Sequence, residues 1–149
     1  QRQMCIRDSR EADKDFNRLN HFKVEEAGEK VAILALGDFY QRGEQLSAKI
    51  KAELGFTPTL INPRFASGID KELLESLSER HQMVITMEDG ILSGGFGEKI
   101  ASFYGSSDMK VKNYGLDKKF YDRYDPNELL KEVGMTPVQI IADICNQIK

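Results

Sequence analysis

Little in the sequence declares a chemistry outright. Its two cysteines, Cys5 and Cys145, stand near opposite ends of 149 residues, with none of the Cys-x-x-Cys or Cys/His spacing that zinc sites use. They read as a terminal thiol and a half-buried helix thiol in a reducing, cytoplasmic compartment. The longest apolar runs, such as "VAILALG", reach six or seven residues, against the roughly 20 that cross a bilayer. A soluble protein with no membrane partner is expected. Charge of one sign is also missing: 21 basic and 24 acidic side chains are interspersed and give a net charge of -3. No sustained basic face exists to neutralise a phosphate backbone, which argues against nucleic acid as a partner. The two histidines, His21 and His81, have no Ser or Cys nucleophile motif beside them.

What is present is a regular alternation. With 40% apolar residues, the chain is long enough for one sizeable core and too short for two ordinary domains. Residues 1–20, "QRQMCIRDSREADKDFNRLN", carry mixed charges without a strand period, and lack the layout of a signal peptide. They read as a poorly ordered extension with at most a weak helix from Asp8 to Leu19. Residues 21–149 form the domain. "HFKVEE" reads as a short strand and "VAILALG" as one buried on both faces. Tyr40 to Gly55 then places Leu46, Ile50 and Leu54 on one helical face, with Gly55 as the stop. "TPTLIN" is a strand, "PRFASGID" a loop, and "IDKELLESLSERH" a helix capped by Asp70 with a Leu73, Leu74, Leu77 stripe. "QMVITME" and "MKVKNYG" are strands on either side of a helix containing Ile100 and Phe103. Two helices close the chain, with Asp125 and Thr136 as caps and Pro126 and Pro137 in their first turns. Phe120, Tyr121 and Tyr124 are expected to pack on the body of the domain or to meet a partner.

Strands and helices alternating in this way specify an α/β fold: a three-layer α/β/α sandwich around a five-stranded mixed, mostly parallel sheet. The link between the first two strands is too short for a parallel crossover, so the first strand is placed antiparallel. Ligands of such folds gather at the carboxyl ends of strands, where Gly37, Asp38, Asn62, Arg64, Glu88, Asp89 and Gly115 stand. Asp38 reads as a cap for the helix opening near Tyr40. Arg64 suits bidentate contacts with a carboxylate or phosphate, or a salt bridge. Glu88 and Asp89 would face opposite ways in a strand and could not share a proton as a dyad; a turn-forming role is expected for them. "GGFGEK" lacks the Lys-Ser/Thr of a phosphate-binding loop and the order of a dinucleotide fingerprint. Gly94, Gly95 and Gly97 instead permit close backbone approach ahead of a helix N-terminus that could receive an anion. Arg64, Glu88, Gly94, Gly95 and Gly97 are therefore the candidate interface or anion-contact residues, and no catalytic or metal-ligating residue is assigned.

The stretches "NPRF" with "IDKELL", "MEDGILSGGFG", and "YGLDKKFYDRYDPNELLKEVGMTPVQI" carry a family likeness. Residues 21–149 resemble the C-terminal, transketolase-like domain of 1-deoxy-D-xylulose-5-phosphate synthases. The alternative readings are the C-terminal domain of a transketolase or of a 2-oxo acid dehydrogenase beta subunit, which shares the sandwich and a G-G-x-G segment, and a stand-alone anion-binding or protein-interaction module. "NPRF…ID" is similar to that family's N-A-R-F…P-L-D, and "MEDGILSGGFG" to its L-E-E-N-x-x-x-G-G-F-G. Departures are Asp38 where small or hydroxyl residues are common, Ser67-Gly68 for Lys-Pro, and Asp89-Gly90 for Glu-Asn. The resemblance implies a parent enzyme, a homodimer, that joins pyruvate to glyceraldehyde 3-phosphate with thiamine diphosphate and Mg2+. It also implies that both cofactors are held by N-terminal and middle domains absent here, so that none is expected on this fragment. Gly37-Asp38 followed by Asn62 only loosely matches a magnesium-holding Gly-Asp-Gly…Asn-Asn pattern, since Phe39 and Pro63 replace the third Gly and second Asn. "QRQMCIRDSR" reads as a translated assembly junction, in keeping with a fragment.

Overall fold

In the computed structural model the chain is described over residues 20–122 and 125–148. The proposed helix at Asp8 to Leu19, Cys5 and Tyr124 lie outside the described residues. The strands are β1 (Lys23–Glu26), β2 (Lys30–Ala35), β3 (Thr59–Asn62), β4 (His81–Ile91) and β5 (Lys110–Leu116). They form a single five-stranded sheet in the order β1-β3-β2-β4-β5. β2, β3, β4 and β5 run parallel, and β1 lies antiparallel against β3 at the edge. The mixed sheet expected from the short first link is therefore present, with β1 two places away from β2 rather than beside it.

Five α-helices cover the sheet: α1 (Tyr40–Leu54), α2 (Lys71–Leu77), α3 (Phe96–Tyr104), α4 (Pro126–Glu132) and α5 (Pro137–Gln147). The side-chain alternation of β2 and β4 divides the core in two. Val31, Ile33, Ala35, Met83, Ile85 and Met87 meet Leu46 and Ile50 of α1, Leu130 of α4, and Ile140 and Ile144 of α5. Ala32, Leu34 and Val84 meet Leu74 and Leu77 of α2 and Phe96, Ile100 and Tyr104 of α3. The three layers follow from connection geometry. The β2-to-β3 crossover steps one way across the sheet and the β3-to-β4 crossover steps back, so right-handed connections place α1 and α2 on opposite faces.

Helix ends largely follow their sequence signals. Gly55 ends α1 at φ 73°, a left-handed conformation that costs other residues about 1–2 kcal/mol. Asp70 accepts from Leu73 N–H, Asp125 accepts from Asn127 and Glu128 N–H, and Thr136 forms a capping box with Gln139. Asp70 does more than its position suggests. Its second oxygen accepts Phe22 N–H at 2.9 Å and lies 3.2 Å from His21 Nδ1, so one carboxylate both opens α2 and pins the entering chain.

Three expectations need correction. Cys145 is exposed rather than half-buried, because it projects from the outer side of α5 beyond Ile144. Phe120 does not pack on the domain; its ring is fully exposed in the segment after β5, while Tyr121 accepts Asp117 N–H through its hydroxyl at 3.0 Å. Asp38 does not cap the helix at Tyr40. A 3-10 turn over Gly37–Phe39 intervenes, the N-cap position falls on Phe39, and no side chain caps that end.

Candidate functional site

The candidate residues lie along the carboxyl ends of β3, β2 and β4. Glu88 sits inside β4, which runs on to Ile91, so it does not form a turn as the sequence suggested. Strand parity decides its surroundings. Met83, Ile85 and Met87 face the α1 layer, so Val84, Thr86 and Glu88 face the α2/α3 layer. Glu88 is only 5% exposed, whereas its neighbour Asp89 faces outward. The two acids thus point apart, as alternation requires.

The Glu88 carboxylate reaches the first turn of α3. Oε2 accepts Phe96 N–H at 2.9 Å and Oε1 accepts Gly97 N–H at 2.8 Å. Those amides belong to the set that every helix leaves unpaired at its start, and the partial positive charge there favours an anion. Here the anion is supplied by the chain itself. The α3 N-cap residue, Gly95, offers no side chain to do this. A buried carboxylate receiving two backbone N–H groups in this way meets the requirement that a buried charge be hydrogen-bonded.

The glycines make the approach possible for two different reasons. Gly94 adopts φ 77°, the left-handed region, with open space where a Cβ would stand. Gly95 and Gly97 are needed for room instead. A Cβ on Gly95 would lie 2.6 Å from the Ile91 carbonyl and 2.7 Å from Glu88 Oε2, and one on Gly97 would lie 2.6 Å from Thr86 Oγ1. Thr86 in turn donates to Asn113 Oδ1 on β5 at 2.8 Å. Gly115 of β5 closes the floor, since a Cβ there would press on Leu92 and on the Gly90 carbonyl. A loop that brings helix backbone onto strand side chains requires this run of glycines. Gly94 N–H donates to Glu98 at 2.7 Å, which fixes the outer edge of the loop.

Arg64 follows β3 with a left-handed φ of 61°, and its N–H donates to Asn62 Oδ1 at 3.0 Å. The loop it begins approaches α3 through Lys99, whose Nζ donates to the Ala66 carbonyl at 2.7 Å. A shallow groove lined by Gly68, Ile69, Gly94, Gly95, Glu98 and Lys99 runs between the two. On the opposite side of β4, a cleft of about 550 Å3 is bordered by Asp38, Arg42, Asp89, Leu116 and Asn127. The structure thus brings Glu88, Gly95 and Gly97 together around one helix end and leaves Asp38 and Asp89 in a separate, open cleft.

These residues do not fit a magnesium-diphosphate site. The α3 N-terminus is filled by Glu88, the Asn62 amide oxygen is engaged by Arg64 N–H, and Phe39 and Pro63 occupy the positions such a site needs for backbone approach and ligation. Among the described residues no three of His, Cys, Asp and Glu cluster as metal ligands, and no helix is long and apolar enough to cross a membrane.

A model of the transketolase C-terminal domain family matches residues 20–140. The chain belongs to this family. Among curated relatives, the 1-deoxy-D-xylulose-5-phosphate synthase of Shouchella clausii is 33% identical over 132 residues, covering 87% of this chain and 21% of the relative. That of Clostridium perfringens strain 13 is 35% identical over 141 residues, covering 89% and 23%. The chain therefore spans about a fifth of the length of such family members. Among solved structures, a split gene transketolase described as an inactive beta4 tetramer superposes with a TM-score of 0.73 at 23% identity, over 87% of this chain and 41% of that one. A 2-oxoglutarate:ferredoxin oxidoreductase from Magnetococcus marinus gives a TM-score of 0.57 at 15% identity, over 89% and 20%. Both show the shared fold. Within the family frame, the sequence missed that Glu88 is the internal anion of α3. The signal was available in the parity of β4 and in a glycine-rich helix start with no capping side chain of its own.

Proposed function

We propose that this chain is the C-terminal domain portion of a 1-deoxy-D-xylulose-5-phosphate synthase, a transferase that joins pyruvate to glyceraldehyde 3-phosphate with loss of carbon dioxide. The observation that carries the reading is the match to synthases of that name over about a fifth of their length. On this reading residues 21–149 are the structural unit, and thiamine diphosphate and Mg2+ belong to upstream domains. The role of this domain is to buttress the middle domain and extend a homodimer contact in a cytoplasmic enzyme. Two features support that role. The one helix N-terminus in the glycine motif is spent on Glu88, and Ile91 and Phe120 are exposed near the carboxyl ends of the strands, where a covering surface would bury them. Arg64, Gly94, Gly95 and Gly97 would lie at or near that contact.

Titration calorimetry of the chain with thiamine diphosphate and Mg2+ tests the placement of the cofactors. No heat of binding is expected, and micromolar binding would overturn it. Sedimentation across concentrations tests the contact. Self-association is expected, while a strictly monomeric profile would contradict it. Joining the chain to the upstream domains of a synthase relative should restore pyruvate-dependent release of carbon dioxide, and failure of a folded hybrid to do so would sink the assignment.

A further inference from the structure

At the opposite end of the sheet from the glycine motif, His81 closes a chain of polar contacts that the proposed function does not use. Gly28 N–H donates to Thr59 Oγ1 at 2.9 Å, Thr59 Oγ1 lies 2.8 Å from His81 Nε2, and His81 Nδ1 lies 2.9 Å from the Leu77 carbonyl. The direction of every bond follows from chemistry alone. A carbonyl only accepts, so Nδ1 carries the proton. A backbone N–H only donates, so Thr59 Oγ1 accepts from Gly28; with Nδ1 holding the one proton of the neutral ring, Nε2 is bare and receives the threonine hydroxyl proton. Thr59 is 4% exposed, so its hydroxyl has little access to water.

We propose that neutral His81, in its Nδ1–H tautomer, is a proton-sensitive clamp tying the β1–β2 turn, the start of β3 and the end of α2 together. A second proton, placed on Nε2, points a donor at Thr59 Oγ1 where another donor already stands, and the threonine proton is displaced into a buried setting. The turn that depends on this contact is tightly seated: a Cβ on Gly28 would lie 2.1 Å from the Thr57 carbonyl, and Glu29 N–H donates to that same oxygen at 2.9 Å. The Thr59 hydroxyl, left without its Nε2 acceptor and crowded by two donors, therefore strains a segment that has no slack.

Of the charged residues on the elements packed around the ring, Arg80 acts on it from the end of the α2 segment, Lys30 is its register partner on β2, and Asp108 and Lys110 line the groove that His81 borders. Glu79 and Glu29 are sequence neighbours of Arg80 and Lys30. β3 contributes no charge at this contact. Burial first, and then the Arg80 charge, hold the imidazole below its ordinary value, against the opposing Leu77 hydrogen bond. A group whose folded value is lowered supports the fold above its unfolded value, near 6.5, and that support is lost as pH falls through the folded value.

Nitrogen NMR of the His81 ring and hydrogen exchange at Gly28, both on the 149-residue chain, test the clamp. Expected at neutral pH are an Nδ1–H ring and a protected Gly28 amide. Below about pH 6.5, local opening at Gly28, corrected for intrinsic exchange, should rise by up to about tenfold per pH unit, levelling once the folded imidazole is protonated. His81→Gln, which cannot gain charge, should remove that pH dependence, and Thr59→Val, which takes away the Gly28 acceptor, should leave the Gly28 amide poorly protected at every pH. An Nε2–H ring at neutral pH, or Gly28 protection that does not follow the His81 titration, would overturn the proposal. The wild-type tautomer alone suffices for this should either variant fold poorly.

Discussion

Two strand-to-helix junctions at the carboxyl end of the sheet solve the same problem in opposite ways. At β4-to-α3, the unpaired amides of the helix are met by a carboxylate from within the strand, eight and nine residues earlier in the sequence. At β2-to-α1, an acid two residues ahead of the helix contributes no cap, and a 3-10 turn leads into a helix whose N-cap residue, Phe39, makes no side-chain cap. Nearness in sequence therefore does not make a cap. What matters is whether the backbone places a carboxylate along the helix axis, and the glycines at 94, 95 and 97 do so for Glu88. The first junction is closed, with Gly95 and Gly97 packed against atoms of β4 and β5. The second opens into the cleft beside Arg42 and Asp89.

The contrast can be broken most forcefully at Glu88. Glu88→Ala removes both acceptors from buried amides and should destabilise the chain by about 3 kcal/mol in denaturant unfolding. Glu88→Gln keeps one acceptor but turns an NH2 group toward the other amide, and about 2 kcal/mol is expected. If both variants unfold at the wild-type denaturant concentration, Glu88 is not what holds α3.

Next come the glycines. Gly95→Ala would drive a methyl into the Ile91 carbonyl and the Glu88 carboxylate, and Gly97→Ala into Thr86; each should cost about 1–3 kcal/mol through crowding. Gly37→Ala, at the open junction, meets nothing within 4 Å but must hold φ 60°, so about 1 kcal/mol is expected from backbone strain. A crystal structure would separate the two causes, since crowding shifts α3 away from β4 whereas strain leaves α1 in place. The smallest effect is expected at Asp38. Asp38→Asn should change stability by no more than about 0.5 kcal/mol, as befits an exposed side chain that caps nothing. A loss as large as that at Glu88 would erase the distinction between the junctions.

Much of the architecture was legible in the residues because hydrophobic period and helix punctuation are local properties. The runs at 31–35 and 83–87, the Leu46 and Ile50 face, and the caps at Asp70, Asp125 and Thr136 are each where the sequence placed them. The reading of Asp38 went wrong because the same local reasoning assumed that the helix begins directly after the strand. Phe120 was expected to pack on the body of the domain or to meet a partner; its fully exposed ring excludes the first of these. For the candidate site, the glycine run and its helix were visible, but Glu88 was read as a turn residue. Its role depends on β4 continuing past it and on α3 folding back over it, and neither fact is carried by its neighbours in sequence.

By itself, then, the sequence determined the class of fold, the order of its elements and the family likeness, because alternating apolar period, capping residues and glycine placement act over one or two turns of chain. Only the tertiary structure decided which side chains meet. It placed β1 beside β3, put Glu88 under α3 and Thr59 against His81, and left Asp38 facing an open cleft. Those contacts join residues from separate elements, and their free energy exists only once the sheet has fixed the distance and direction between them.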